Sequence, residues 1–380
     1  MTTIATPQPP SVTTDWTEAV RTVGTELEPG VAERDRTGEV PAAGFERLRA
    51  LGVTAALVPA ELGGGGATHA EIGAALRALG ALDPAAAVTL AMHTHLVAAQ
   101  VWRHRHGMDA SAVFGKVVGG AMLVSTGASD WVPSNGRAER VDGGYRVWAR
   151  KAPASGCEIG DVVVTSIRWD DAPDGPQVLH CSLPLQADGV SIEHTWDTLG
   201  LRATGSHTVV LDGAFVPDAA VSLVRPADEW PPIWNVVIGA AMPLIMAAYV
   251  GIADATVRAA TAAVAGRTDV HVLQLLGELA NAHTTAVDVV DAMFREADDL
   301  RFDNTDALAA RTLSRKTVAT GAMLDVARLA VELVGGAGYS RGTEVERLVR
   351  DLQGAQFHPL PRAKQTQFTG RVIQGLPPVG

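Results

Sequence analysis

"DTLGLRATGSHTVVLDGAFVPDAAV", Asp197 to Val221, is the stretch that divides this chain. Its first half is a turn-rich run of Gly, Thr and Ser. Its second half, from His207, alternates apolar and other residues and reaches Pro217, as an amphipathic strand ending at a proline does. Similar short β-branched runs lie upstream: "RAERVDGGYRVWARKA", "DVVVTSIRW", "QVLHCSLPL" and "GVSIEHTW". In "VDGGYRV", Asp-Gly-Gly between two alternating segments signals a hairpin. The β pattern therefore occupies about 123–230.

The pattern on either side is helical. Residues 14–122 are rich in Ala and Leu, with apolar positions at helical spacing in "GFERLRALGV" and "AEIGAALRALGAL". Residues 231–380 hold three long segments: "GIADATVRAATAAVAG", "VLQLLGELANAHTTAVDVVDAMFREADDL" and "ALAARTLSRKTVATGAMLDVARLAVELVGG". They are apolar on enough faces to build a bundle and to pack against other subunits. Residues 1–13, rich in Pro and Thr, read as a disordered tail without the basic and apolar regions of a signal peptide. "WNVVIGAAMPLIMAAYVGIADA" approaches membrane-span length, but Asn235 and Asp254 bracket it while Gly239 and Pro243 interrupt it. A buried core helix is expected there.

Composition narrows function. The 380 residues are 47% hydrophobic and 19% charged, with a net charge of −11 and no basic block, so neither nucleic acid nor a membrane surface is expected as a partner. The two cysteines, Cys157 and Cys181, lack zinc or disulfide spacing and fit a cytoplasmic protein. "GGGG" at Gly63–Gly66 follows no strand and carries no Gly-Lys-Ser/Thr, so it reads as a flexible connection between helices, not a phosphate loop. His93, His95, His104 and His106 lie two apart on a helix with no carboxylate nearby, so they are read as surface or cleft-edge histidines and no metal is expected.

The order helical domain, β-domain, helical bundle resembles the acyl-CoA dehydrogenase superfamily, and four segments carry that resemblance over about residues 15–376. "FERLRALGVTAALVPAELGGGG" is similar to its N-terminal helix and turn. "LVSTGASDW" and "RKAPASGCEIGDVVV" are similar to the stretches that line the flavin. The opening stretch matches a middle-domain Gly-x-Arg-x-Thr-x-Ser run followed by a strand and Val-Pro. "LVGGAGYSRGTEVERLVRD" resembles the turn that meets the adenosine diphosphate part of a neighbouring subunit's flavin. The resemblance implies an α+β fold with an N-terminal all-α domain, a middle β-barrel or sandwich and a C-terminal four-helix bundle, assembled as a homotetramer.

It also implies flavin-binding residues: Ser125, Thr126 and Ser129 near the ring, Ser155 near N5, and Gly335, Gly336 and Gly338 at the adenosine end. Arg267 and Gln274 are the partial counterpart of a further adenosine-end motif. FAD is expected, with FMN as an alternative. The chain departs from the family in two respects. Its Thr-Glu-Pro-Gly run is shortened, and Pro153 stands where an aromatic residue often shields the ring.

The larger departure lies in "RDLQGAQFHPLPRAKQ", Arg350 to Gln365. Family dehydrogenases usually place their catalytic glutamate nine residues after this Arg, and here that position is Pro359. The other known location, the first bundle helix, carries no Asp or Glu from Trp230 to Ala253. Met242, Leu244, Met246 and Tyr249 read there as an apolar wall. His358 stands beside the gap, where flavin monooxygenases of this fold carry a functional histidine, and its pKa is tunable around neutrality. The expectation is a monooxygenase using reduced flavin, from a separate reductase, and O2 on a small apolar or aromatic substrate. The alternatives are a divergent acyl-CoA dehydrogenase using FAD and a scaffold that has lost its flavin.

Overall fold

The computed structural model describes residues 14–127 and 131–380; the expected tail at 1–13 and the candidate Ser129 lie outside them. Among the described residues, helices come first: α1 (Trp16–Leu27), α2 (Val31–Thr37), α3 (Ala42–Ala50), α4 (His69–Gly80), α5 (Pro84–Arg105) and α6 (Ser111–Val118). Their starts follow from local chemistry. Thr68 and Glu71 form a reciprocal capping box on α4. Asp83 caps α5 through the Ala86 N–H, with Pro84 at the first position, and its carboxylate also pairs with Arg34 on α2 at 2.7 Å. The turn at Gly63–Gly66 is not slack, contrary to the sequence reading. A Cβ on Gly64 would meet the Val58 carbonyl at 2.2 Å and one on Gly65 the Trp16 ring at 2.3 Å, so glycine is required by close packing.

The strands that follow among the described residues are β1 (Leu123–Ser125), β2 (Arg137–Val141), β3 (Gly144–Lys151), β4 (Val162–Trp169), β5 (Gln177–Pro184), β6 (Val190–Glu193), β7 (Thr208–Pro217) and β8 (Val221–Pro226). They make two four-stranded sheets, β1-β4-β5-β8 and β2-β3-β7-β6. The expected hairpin is β2–β3, with Val141 opposite Gly144. Alternation on β7 turns Val209, Leu211, Ala214 and Val216 inward, where they meet Val163, Ile167, Leu179 and Leu183 of the other sheet in a core separate from the helical one.

The chain then returns to helices: α7 (Ile233–Ala263), α8 (Val270–Ala297), α9 (Asp306–Val334), α10 (Gly336–Tyr339), α11 (Glu344–Leu352) and α12 (Arg362–Ile373). Helix α7 is long and apolar enough to cross a membrane, but 94% of its most apolar window is buried inside the fold. It is the central core helix, packed against α4, α5, α8, α9 and α11. Around it, one helical core joins the first and last parts of the chain.

Candidate active site

His358 follows α11 in the segment that leads to α12 and is half-buried. Its Nε2 lies 2.9 Å from the hydroxyl of Tyr249, a fully buried residue of α7, and the two rings meet edge-on with centroids 5.3 Å apart. Burial pushes His358 down to about 3, with the charges of Lys316 and His95 adding to the effect. Burial, with the nearby Asp351 charge, pushes the Tyr249 phenol well above its usual range. Both groups are therefore neutral. A phenol O–H is a better donor than an imidazole N–H, and an imidazole nitrogen is the better acceptor, so Tyr249 donates to Nε2 and His358 carries its proton on Nδ1. Tyr249, read from sequence as part of an apolar wall, is thus the partner of the candidate histidine.

The residues around this pair are fitted closely. Gly354 leaves no room for a side chain: a Cβ there would lie 2.6 Å from the Tyr249 hydroxyl and 2.7 Å from Leu201 Cδ1. The Leu201 N–H donates to buried Asp351 at 2.6 Å. Burial raises the Asp351 carboxyl to about 7, against the lowering effects of that bond and of Arg347 and Arg350. Arg350 makes structural ion pairs with Asp35 and Glu346, at 2.6 and 2.5 Å. The Gly200–Ser206 turn therefore docks against the end of α11 and Gly354, just ahead of the His358 segment.

The same turn reaches Ser155. The hydroxyls of Thr204 and Ser206 are 2.6 Å apart, and Ser206 donates to Ser155 Oγ at 2.8 Å. That order leaves the Ser155 proton free to donate outward. Thr126 shares a 2.9 Å hydrogen bond with Thr165 across the β1–β4 pair, and Ser125 lies opposite Val164. Where the described chain resumes after Gly127, Trp131 stacks on Trp234 of α7 at 5.1 Å, and its carbonyl accepts from Trp234 Nε1 at 2.5 Å and from Arg225 at 2.8 Å. These contacts tie the β1 exit to the helical bundle, and nothing in the local sequence pattern signals them. A partly buried hydroxyl with a spare donor suits the polar edge of a flavin ring, so the donor chemistry of Ser155 fits that cofactor, and Thr126 adds a second hydroxyl.

The other candidates stand apart from Ser155 in sequence and structure. Arg267 occupies the exposed α7–α8 connection and pairs with Asp269 at 3.1 Å, while Gln274 donates to Glu278 on α8. Gly335 adopts φ +71° between α9 and α10, a conformation glycine favours; Gly336 is exposed and Gly338 buried.

The reading of His93 and His95 as surface residues is corrected: both are buried. Helix α5 is enclosed nearly all round, so residues two apart on it face protein on both sides. His93 Nδ1 accepts the Leu123 N–H while Nε2 donates to the Thr54 carbonyl, both at 2.9 Å, which anchors β1 to the first domain.

Two arrangements escaped the sequence reading. Lys316 is 1% exposed within the buried stripe of Leu313, Ala319 and Thr320 on α9. A charge at an apolar-periodic position was its available signal. Glu158, His194 and His207 also bring potential ligand atoms within 4.8 Å of one another. However, His207 Nδ1 accepts the N–H groups of Thr195 and Trp196, so its proton sits on Nε2, the atom facing Glu158. A metal there would have to displace that proton, and this donor set does not favour one.

Comparisons with known proteins agree with this architecture. Residues 15–110 match the acyl-CoA dehydrogenase N-terminal domain and residues 239–358 its C-terminal domain. The amino sugar nitrososynthase DnmZ of Streptomyces peucetius is 29% identical, with 92% of this chain and 90% of the relative covered. The isobutylamine N-hydroxylase of Streptomyces viridifaciens is 26% identical, with coverage of 87% and 89%. The structure of KijD3 with FMN and a dTDP-linked amino keto sugar is 25% identical, has a TM-score of 0.85 and covers 95% of this chain and 93% of its own. The two matched domains take in more than half of the sequence, and this chain belongs to the acyl-CoA dehydrogenase family.

Proposed function

We propose that this chain is a flavin-dependent monooxygenase that acts on a small substrate, with an amine nitrogen as the atom oxygenated. One observation carries the reading: where family dehydrogenases hold a carboxylate base, this chain has Pro359 and, beside it, a neutral His358 bonded to Tyr249. A group held near pKa 3 is a poor base for removing a proton α to a thioester, so the dehydrogenase reaction lacks its first requirement. The same group is a stable Nδ1–H donor. Relatives that act on amines supply the substrate class.

When bound, reduced flavin supplies the electrons and the site of reaction with O2. The protein's own part is to hold and orient. Ser155 and Thr126 would hold the polar edge of the ring, with Ser125 and Ser129 beside them. His358 would present its Nδ1–H to the reacting edge, with Tyr249 holding the imidazole tautomer and orientation. The buried Met242, Leu244 and Met246 of α7 contribute to an apolar interior that excludes water. Gly335, Gly336 and Gly338, with Arg267 and Gln274, would meet the adenosine end of FAD across a subunit interface. That role belongs with a homotetramer, a cytoplasmic location and a separate flavin reductase; FMN, carried by the KijD3 structure, is the alternative cofactor.

The test is a stopped-flow experiment. Flavin-loaded protein is reduced anaerobically with dithionite and mixed with oxygenated buffer. A long-lived absorbing species between the reduced and oxidised spectra is expected, and His358→Ala should remove it and abolish turnover while flavin content and Tm stay close to wild type. Direct reoxidation in the wild type, together with flavin bleaching by an acyl thioester, would replace this reading with a dehydrogenase. A colourless protein that takes up neither FAD nor FMN would replace it with a scaffold.

A further inference from the structure

The buried ammonium of Lys316 has no role in the reading above. No carboxylate pairs with it among the described residues. Its Nζ instead approaches two main-chain carbonyls, Gln356 at 3.4 Å and Leu360 at 3.5 Å. These carbonyls bracket His358. The lysine projects from α9, while the bracketed segment lies between α11 and α12, so one side chain holds both ends of the turn that carries the histidine. An apolar side chain would fill the same stripe without burying a charge.

We propose that Lys316 is a positioning residue: it clamps the Gln356–Leu360 segment from both ends and sets a positive charge against the His358 imidazole. The inference rests on His358 being the functional histidine for its meaning, but not for its physics. The groups facing His358 are Tyr249 from α7, His95 from α5 and Lys316 from α9, with Asp351 of α11 behind Tyr249. Tyr249 is neutral and His95 is held down to about 4 by burial, so near neutral pH Lys316 is the cation of this set. Burial lowers Lys316 itself to about 8, so it is largely charged at pH 7.

The experiment is an NMR titration of histidine-labelled protein without flavin, paired with hydrogen exchange of the Gln356, Phe357, His358 and Leu360 amides. Lys316→Met removes both the clamp and the charge; Lys316→Gln keeps a donor and removes the charge. Both variants should raise the His358 midpoint by about one pH unit. Only the Met variant should speed amide exchange in the segment. A merely structural lysine would lower Tm without moving the midpoint. An unchanged midpoint in both variants overturns the proposal, and so does failure of both to fold. If the midpoint moves as expected but His358→Ala keeps full turnover, the proposed function fails while the role of Lys316 stands.

Discussion

Gly354→Ala is the sharpest probe of the site, because the added atom meets the pair at its centre. A Cβ at this position lies 2.6 Å from the Tyr249 hydroxyl, whereas ordinary contact begins near 3.4 Å, so the hydroxyl or the turn must yield by about 0.8 Å. The backbone of Gly354 is not in the left-handed region, so alanine is strained by collision and not by φ. Tyr249 is fully buried and has little room to retreat. Overpacking of this kind destabilises by about 1–3 kcal/mol. The 2.9 Å bond to His358 cannot survive such a displacement at full strength, and a misplacement of this size lowers kcat by about 10- to 100-fold. Thermal melts and steady-state turnover measure the two effects. A double-mutant cycle identifies the colliding atom. Tyr249→Phe deletes the hydroxyl, so Gly354→Ala should be milder in that background by about 1 kcal/mol. Wild-type Tm and turnover in Gly354→Ala, or strict additivity in the cycle, would refute the geometry argued here.

Two further outcomes are expected. Burial raises the Asp351 carboxyl from its ordinary value of 3.8 to about 7, so between these values the folded protein holds a proton that the unfolded chain releases. Its contribution is complete below about 4 and is lost as pH rises through about 7; the shift corresponds to about 4 kcal/mol. Tm should fall over that window, and Asp351→Asn should flatten the fall while keeping an acceptor for Leu201; parallel pH curves would rule this out. Ser155→Ala should weaken flavin binding about 5-fold, the worth of one hydrogen bond, in a fluorescence titration. An unchanged affinity would remove Ser155 from the cofactor site.

The layer order was legible because it rests on short-range patterns. Alternation over Thr208–Pro217 and the Asp-Gly turn before Gly144 need only neighbouring residues to express themselves. The apolar length of α7 likewise identified a core helix, and the missing carboxylate and the address of His358 were visible as absences and positions. The chemistry of the site was not. Tyr249 sits in a run where every neighbour is apolar, and periodicity cannot tell a packed phenol from one whose hydroxyl meets a histidine 109 residues away. His93 and His95 look like surface residues because spacing on one helix does not say whether that helix is enclosed.

What the sequence by itself determined is therefore the order of helix-patterned and strand-patterned stretches, since alternation, helical spacing and glycine turns act within a few residues. What only the tertiary structure decided is which groups meet. The bond from Leu201 to Asp351, the clamp of Lys316 on the His358 segment and the hydroxyl chain to Ser155 all join distant parts of the chain. Burial then sets the charge states. Desolvation depends on everything packed around a group, and no local run of residues contains that information.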